Sequence, residues 1–191
     1  MLGVVFCGGK SLRMGTDKGL IPITKQNWST LAAEKLRSLC IPVKVSIRAA
    51  QIESYSAFFN VQQMVIDSNK ISVEGPLLGL LSVHEKYPDE DVLILACDLP
   101  LMTENLLQKL VLAAQSHNSS DAFCYTNSGF AEPLCAVYKA SALRKIVHKL
   151  NSGSLAKYSM KYVLSMLQCF EIELSKEEIQ FFKNFNSQGF T

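Results

Sequence analysis

The sequence predicts an α/β sandwich built around a mainly parallel sheet, and three observations carry that prediction. Short apolar, β-branched runs alternate with longer amphipathic ones along the chain. One run, Val92 to Cys97, is apolar at every position, as a central strand covered on both faces must be. The length of 191 residues, 48% of them hydrophobic, suits a single domain over residues 1–191 with a sizeable core.

Taken in chain order, Leu2 to Cys7 is the first strand, straight into a glycine pair. Thr30 to Cys40 has the spacing of an amphipathic helix, and Val43 to Ile47 and Met64 to Ile66 are short strand-like runs. Pro76 to Tyr87 reads as a helix with its proline in the first turn, where the missing N–H costs nothing. After Val92 to Cys97, Thr103 is placed to cap a helix over Glu104 to Ser116. Asp121 to Tyr125, Leu134 to Tyr138 and Cys169 to Leu174 are further strands. Ser141 to Leu150 and Leu155 to Leu167 are further helices.

Composition excludes several function classes. There are 19 basic and 17 acidic residues, a net charge of +2, too balanced for a polyanion binder, so no nucleic-acid partner is expected. No apolar stretch approaches the roughly 20 residues of a spanning helix, and no basic segment precedes an apolar one at the start. No membrane partner is therefore expected. Cys7, Cys40, Cys97, Cys124, Cys135 and Cys169 form no CxxC pair, and His84, His117 and His148 share no ligand spacing with them. They read as free core thiols of a cytoplasmic protein. A monomer and a homodimer are both compatible with the sequence.

Open parallel sheets bind ligands at the carboxyl ends of their strands, so the residues after Cys7, Ile66 and Cys97 are where chemistry is expected. After Cys7 stands Gly8-Gly9-Lys10-Ser11-Leu12-Arg13-Met14-Gly15-Thr16-Asp17-Lys18. Gly8 and Gly9 let backbone approach a ligand closely, successive N–H groups can form an anion nest, and Arg13 and Lys18 add two cations. That combination suits a triphosphate. It is not a Walker A loop: Gly3 to Gly9 encloses five residues instead of four, and those five include the strand. GxGxxG has no match there either. Asp98 ends the central strand within Cys97-Asp98-Leu99-Pro100, where a carboxylate suits a magnesium ion shared with phosphate oxygens. Asp67 ends another strand, in a sequence that also forms ordinary turns.

The glycine segment resembles the signature GGxSxRMGxDK of MobA-like nucleotidyltransferases. Further matches are Asp67 ahead of Gly75-Pro76-Leu77-Leu78-Gly79-Leu80, and Asp98-Leu99-Pro100. Glu132-Pro133-Leu134-Cys135-Ala136-Val137-Tyr138 and Asn184-Phe185-Asn186-Ser187 also resemble family segments. Phe6-Cys7 stands where Leu-Ala is usual, Lys25-Gln26-Asn27-Trp28 departs from Gly-Lys-Pro, and Ser46 takes the place of an Asn that contacts guanine nucleotide.

The resemblance implies a Rossmann-like α/β/α sandwich of the nucleotide-diphospho-sugar transferase type, its sheet mixed but mainly parallel. It implies transfer of GMP from GTP to the terminal phosphate of molybdopterin, the molybdenum cofactor, with Mg²⁺ as metal. The implied catalytic set is Arg13, Lys18 and Asp98, with Asp98 as metal ligand. Phe6, Cys7, Gly8, Gly9, Lys18, Ser46, Asp67, Gly79 and Asp98 would contact nucleotide, and Glu132, Asn184 and Asn186 the acceptor. The glycine loop alone fits equally a transferase using CTP or another acceptor, and a nucleotide-binding protein without catalysis.

Overall fold

A computed structural model describes residues 1–7 and 17–185. The elements in order are β1 (Leu2–Phe6), β2 (Pro22–Ile23), β3 (Gln26–Asn27), α1 (Trp28–Arg37), β4 (Val43–Ile47), α2 (Ile52–Tyr55) and β5 (Met64–Ile66). Then come α3 (Pro76–Lys86), β6 (Val92–Ala96), α4 (Glu104–Ser116), β7 (Ala122–Asn127), β8 (Phe130–Tyr138), α5 (Ala140–Asn151), α6 (Met160–Ser165) and β9 (Cys169–Glu173).

Seven strands form one sheet in the order β5-β4-β1-β6-β8-β7-β9. β5, β4, β1 and β6 are mutually parallel. β8 runs antiparallel to both β6 and β7, and β9 is parallel to β7. The mainly parallel sheet expected from the sequence is therefore mixed, with β8 as its reversed strand.

Alternation along the strands feeds two cores, one on each face. On one face Val5, Val45 and Leu95 pack with Ala33 and Leu36 of α1 and Leu107 and Leu110 of α4. On the other Val4, Phe6 and Ile94 pack with Leu77 and Leu80 of α3, Leu143 of α5 and Val163 of α6. Every residue of β6 is buried, as its unbroken apolar run requires.

Local chemistry sets the helix starts. Asn27 caps α1 through its side chain on the Thr30 N–H, and Thr30 answers with a bond from the Asn27 N–H. α1 thus begins two residues earlier than the pattern predicts, after a short β2–β3 hairpin turned at Thr24, φ 51°. Gly75 precedes α3 at φ 72°, a backbone only glycine adopts cheaply, and Pro76 follows in the first turn. The helix expected over Leu155 to Leu167 is shorter, because Leu155 is buried from a loop and Ser159 caps α6.

Candidate active site

The sheet brings the predicted positions to one edge. Phe6 is level with Ser46 on β4 and with Ala96 on β6. Three bonds carry the ladder one step further: the N–H of Cys7 donates to Ser46 O (3.0 Å), Cys97 to Phe6 O (3.1 Å) and Asp67 to Ile47 O (3.0 Å). Asp67, Cys7 and Asp98 therefore leave the sheet side by side, at the switch point where β4 lies on one side of β1 and β6 on the other.

Lys18 Nζ donates to Asp98 Oδ2 at 3.1 Å, and both side chains keep about a quarter of their surface open. The loop and the strand end, 80 residues apart, thus meet in one ion pair. Its backbone is fixed by the residue before it. Asp17 Oδ1 accepts from the Gly19 N–H and from Tyr55 Oη, each at 3.0 Å. Asp17 Oδ2 accepts from Gln51 Nε2, which also donates to Cys7 O. Gly19 permits this: a Cβ there would sit 2.1 Å from Tyr55 Oη. Gln51 and Tyr55 are buried, one turn apart, Gln51 just before α2 and Tyr55 at its last position. This anchoring group was not legible in the sequence, where Asp17 stood out only as part of the glycine segment.

The turn that carries Asp98 is held from two further sides. Lys35 of α1 donates to Pro100 O at 2.6 Å, and burial pulls the Lys35 ammonium below the usual lysine range. The N–H of Phe185 donates to Asp98 O at 3.2 Å, and its ring packs edge-on against Trp28. Asn184, which precedes Phe185 in the chain, is exposed.

Ser46, Asp67, Gly79 and Phe6 converge on the opposite side of β1. A Cβ on Gly79 would lie 2.8 Å from Ser46 Oγ and 3.7 Å from both Asp67 Oδ1 and Phe6 Cε2. Gly79 therefore lets α3 press onto the sheet. Asp67 Oδ1 is shielded and has no hydrogen-bond partner among the described residues. Burial raises the Asp67 carboxyl to about 6, against an opposing pull from Arg48.

Glu132 lies across β6. β8 pairs Cys135 with Leu95, so Glu132 is three residues further toward the edge that Asp98 occupies on β6. The register breaks here: Cys124 pairs with Ala136 and Thr126 with Ala131, so five steps on β8 match two on β7. Buried Tyr138 ties the bulge down, donating from Oη to Pro133 O at 3.0 Å. Gly8, Gly9, Arg13 and Asn186 lie outside the described residues. Among the described residues no three His, Cys, Asp or Glu side chains gather as a metal cage. Asp98 offers a single hard carboxylate, of the kind that would suit an ion completed by phosphate oxygens and water.

Comparison with known proteins identifies the family. The family model described as "MobA-like NTP transferase domain" matches residues 3–164. The chain belongs to the MobA-like NTP transferase family. It is 31% identical over 139 residues to a molybdenum cofactor guanylyltransferase of Campylobacter jejuni, covering 72% of this chain and 68% of that one. It is 34% identical over 155 residues to a molybdenum cofactor biosynthesis bifunctional protein of Synechocystis, covering 80% of this chain and 43% of the relative. The chain thus spans less than half of that longer relative. Among solved structures, molybdopterin-guanine dinucleotide biosynthesis protein A of Archaeoglobus fulgidus shares the fold. Its TM-score is 0.76 at 19% identity, over 98% of this chain and 93% of that one. Among the described residues no helix is long and apolar enough to cross a membrane.

Proposed function

We propose that this protein transfers GMP from GTP to the terminal phosphate of molybdopterin and releases pyrophosphate. The observation that carries the reading is the Lys18–Asp98 pair, at the carboxyl end of the central strand and beside the Ser46–Asp67 side. An acceptor phosphate oxygen attacks the α-phosphorus of GTP, and the bond from that phosphorus to the oxygen bridging to the β-phosphate breaks. The attacking oxygen is already anionic, so no strong general base is needed. Catalysis is then alignment plus neutralisation of charge as it moves.

Lys18 meets the charge on the phosphates, with Arg13 as a second cation from the glycine segment. Gly8, Gly9, Phe6 and Cys7 bring backbone to the nucleotide. Asp67 offers its unpartnered oxygen to a nucleotide donor, and Asn184 and Asn186 would contact the acceptor. Asp98 would hold magnesium, which supplies positive charge to the phosphate oxygens when bound. Asp17, Gln51 and Tyr55 keep Lys18 where that charge is needed.

Ser46 favours a second reading, transfer of CMP from CTP, because the family's guanine-contacting Asn is replaced. Thermal melts with Mg²⁺ and each nucleotide, followed by turnover with molybdopterin, test both. GTP at 100 times its Kd should stabilise the fold by about 2.7 kcal/mol, more than CTP or ATP at equal concentration. A larger shift with CTP moves the assignment to cytidylyl transfer, and no shift with any nucleotide rejects both.

A further inference from the structure

The edge of the site beyond Glu132 carries side chains that the phosphate chemistry leaves unused. Phe130 is 68% exposed at the start of β8. Single exposed apolar side chains are ordinary, but this one is presented from a braced turn. Ser128 and Gly129 turn the β7–β8 hairpin at φ 50° and 79°. Glu173 of β9 pins that turn, accepting from the Ser128 N–H at 2.9 Å and from Thr126 Oγ1 at 2.6 Å.

Lys161 of α6 lies over the Phe130 ring, 5.8 Å from its centre. The same ammonium acts on Glu132: burial raises the Glu132 carboxyl above the usual range, and Lys161 opposes that shift. Glu132 sits in the bulge that Tyr138 holds, and among the described residues its carboxylate takes no hydrogen bond. An exposed aromatic ring with a cation over it and a half-buried carboxylate that the same cation acts on therefore share one rim of the site.

We propose that Phe130, Glu132 and Lys161 form a subsite for the ring system of the acceptor, with the ring face on Phe130 and its 2-amino-4-oxopyrimidine edge on Glu132. That edge presents an N–H and an amino group side by side, the donor pair that a carboxylate accepts in bidentate fashion. Guanine carries the same edge. The acceptor's pterin is the assigned source, because β8 lies across β6 from the Ser46 and Asp67 side, so the subsite and the nucleotide side flank Asp98. Lys161 favours the charged form of Glu132 and steers an anionic acceptor inward. The assignment rests on molybdopterin as acceptor, and its test separates the two.

The first arm measures transfer from Mg²⁺–GTP to molybdopterin by the full chain. Phe130→Ala and Glu132→Gln should each raise the KM for molybdopterin about tenfold, the scale of one lost stacking partner or charged hydrogen bond. The KM for GTP and the kcat at saturating acceptor should stay within about twofold, since a loss confined to acceptor binding leaves the chemical step alone. Phe130→Trp should restore the wild-type KM. A rise in the KM for GTP instead assigns the group to guanine and overturns the proposal, as does an unchanged molybdopterin KM in both variants.

The second arm needs no turnover. A soluble fluorescent pterin is titrated with wild type and with Phe130→Ala in the absence of GTP. Quenching by wild type that weakens about tenfold in the variant supports the subsite even if transfer to molybdopterin fails. Absence of quenching by wild type overturns it.

Discussion

The two flanks of Asp98 are built on different terms. On the β1–β4–β5 side the strands are parallel, and the chain reaches the site by leaving buried strand ends. Its loop is locked, Asp17 by Gln51 and Tyr55 and Lys18 by Asp98, while Asp67 is half-buried with one oxygen unpartnered among the described residues. On the β8–β7–β9 side the reversed strand carries a bulge and a turn, and at the rim Phe130 and Lys161 stand open beside half-buried Glu132. The locked flank suits a group handled the same way each cycle, the triphosphate. The open flank suits a bulky partner that must arrive and leave.

If that contrast is right, the largest effects come from Asp98, where the flanks meet. Asp98→Asn keeps the shape of the turn but removes the charge. It should fold with wild-type melting behaviour, lose magnesium-dependent binding of GTP and lose turnover by about two orders of magnitude, the scale of one transition-state charge contact. Calorimetric titration of GTP with and without Mg²⁺ checks the binding side. Unchanged magnesium dependence in the variant would shift the metal assignment to Asp67.

Next comes the locking of the first flank. Tyr55→Phe keeps the ring, which packs on Phe59, and removes one of the bonds to Asp17. Lys18 would then be held less well, and kcat should fall about tenfold, the cost of a modest loss of charge alignment. The KM for molybdopterin should stay unchanged, because nothing on the other flank is touched. An equal rise in both KM values with kcat intact would mean that the Tyr55 hydroxyl is structural only.

The second flank answers differently to a comparable change. Tyr138→Phe removes the hydroxyl from the Pro133 carbonyl and leaves that carbonyl buried without its partner. The expected cost is about 1 kcal/mol of stability, measured by denaturant unfolding. The KM for molybdopterin should rise with it as the bulge loosens around Glu132, while the KM for GTP does not.

The contrast also explains what could be read from the sequence. β4, β5 and α4 fall on the predicted residues, because buried runs and a clear helical period are local signals. Asp98, Asp67 and Lys18 were legible for a related reason: the carboxyl end of a buried strand and a glycine segment are marked in the chain itself. The Asp17 anchor was not, since its partners are 34 and 38 residues away and only the fold joins them. The β2–β3 hairpin has two-residue strands, too short for alternation to show. The β8 bulge is a matter of register against β7, which no single segment encodes. The rim around Phe130 was invisible for the same reason: Lys161 is brought to it by α6, about thirty residues on in the sequence.

The smallest effect expected is also the one most specific to the locked flank. Asp67 is half-buried against Gly79, and its carboxyl is raised to about 6 by that burial. Between the ordinary value of 3.8 and about 6, the folded chain holds a proton that the unfolded chain has released. Stability contributed by neutral Asp67 is therefore fully present below about pH 4 and is lost as pH rises through about 6. Asp67→Asn has no charge to bury. It should match wild type in denaturant unfolding near pH 4 and exceed it by about 1 kcal/mol at pH 8, a figure discounted for the solvent that still reaches the carboxylate. The difference between the two proteins cancels other groups that titrate in the same range. A gap that does not vary with pH would mean Asp67 is already solvated. The Ser46–Asp67–Gly79 side would then be open like the β8 rim, and the contrast between the flanks would not extend past Lys18.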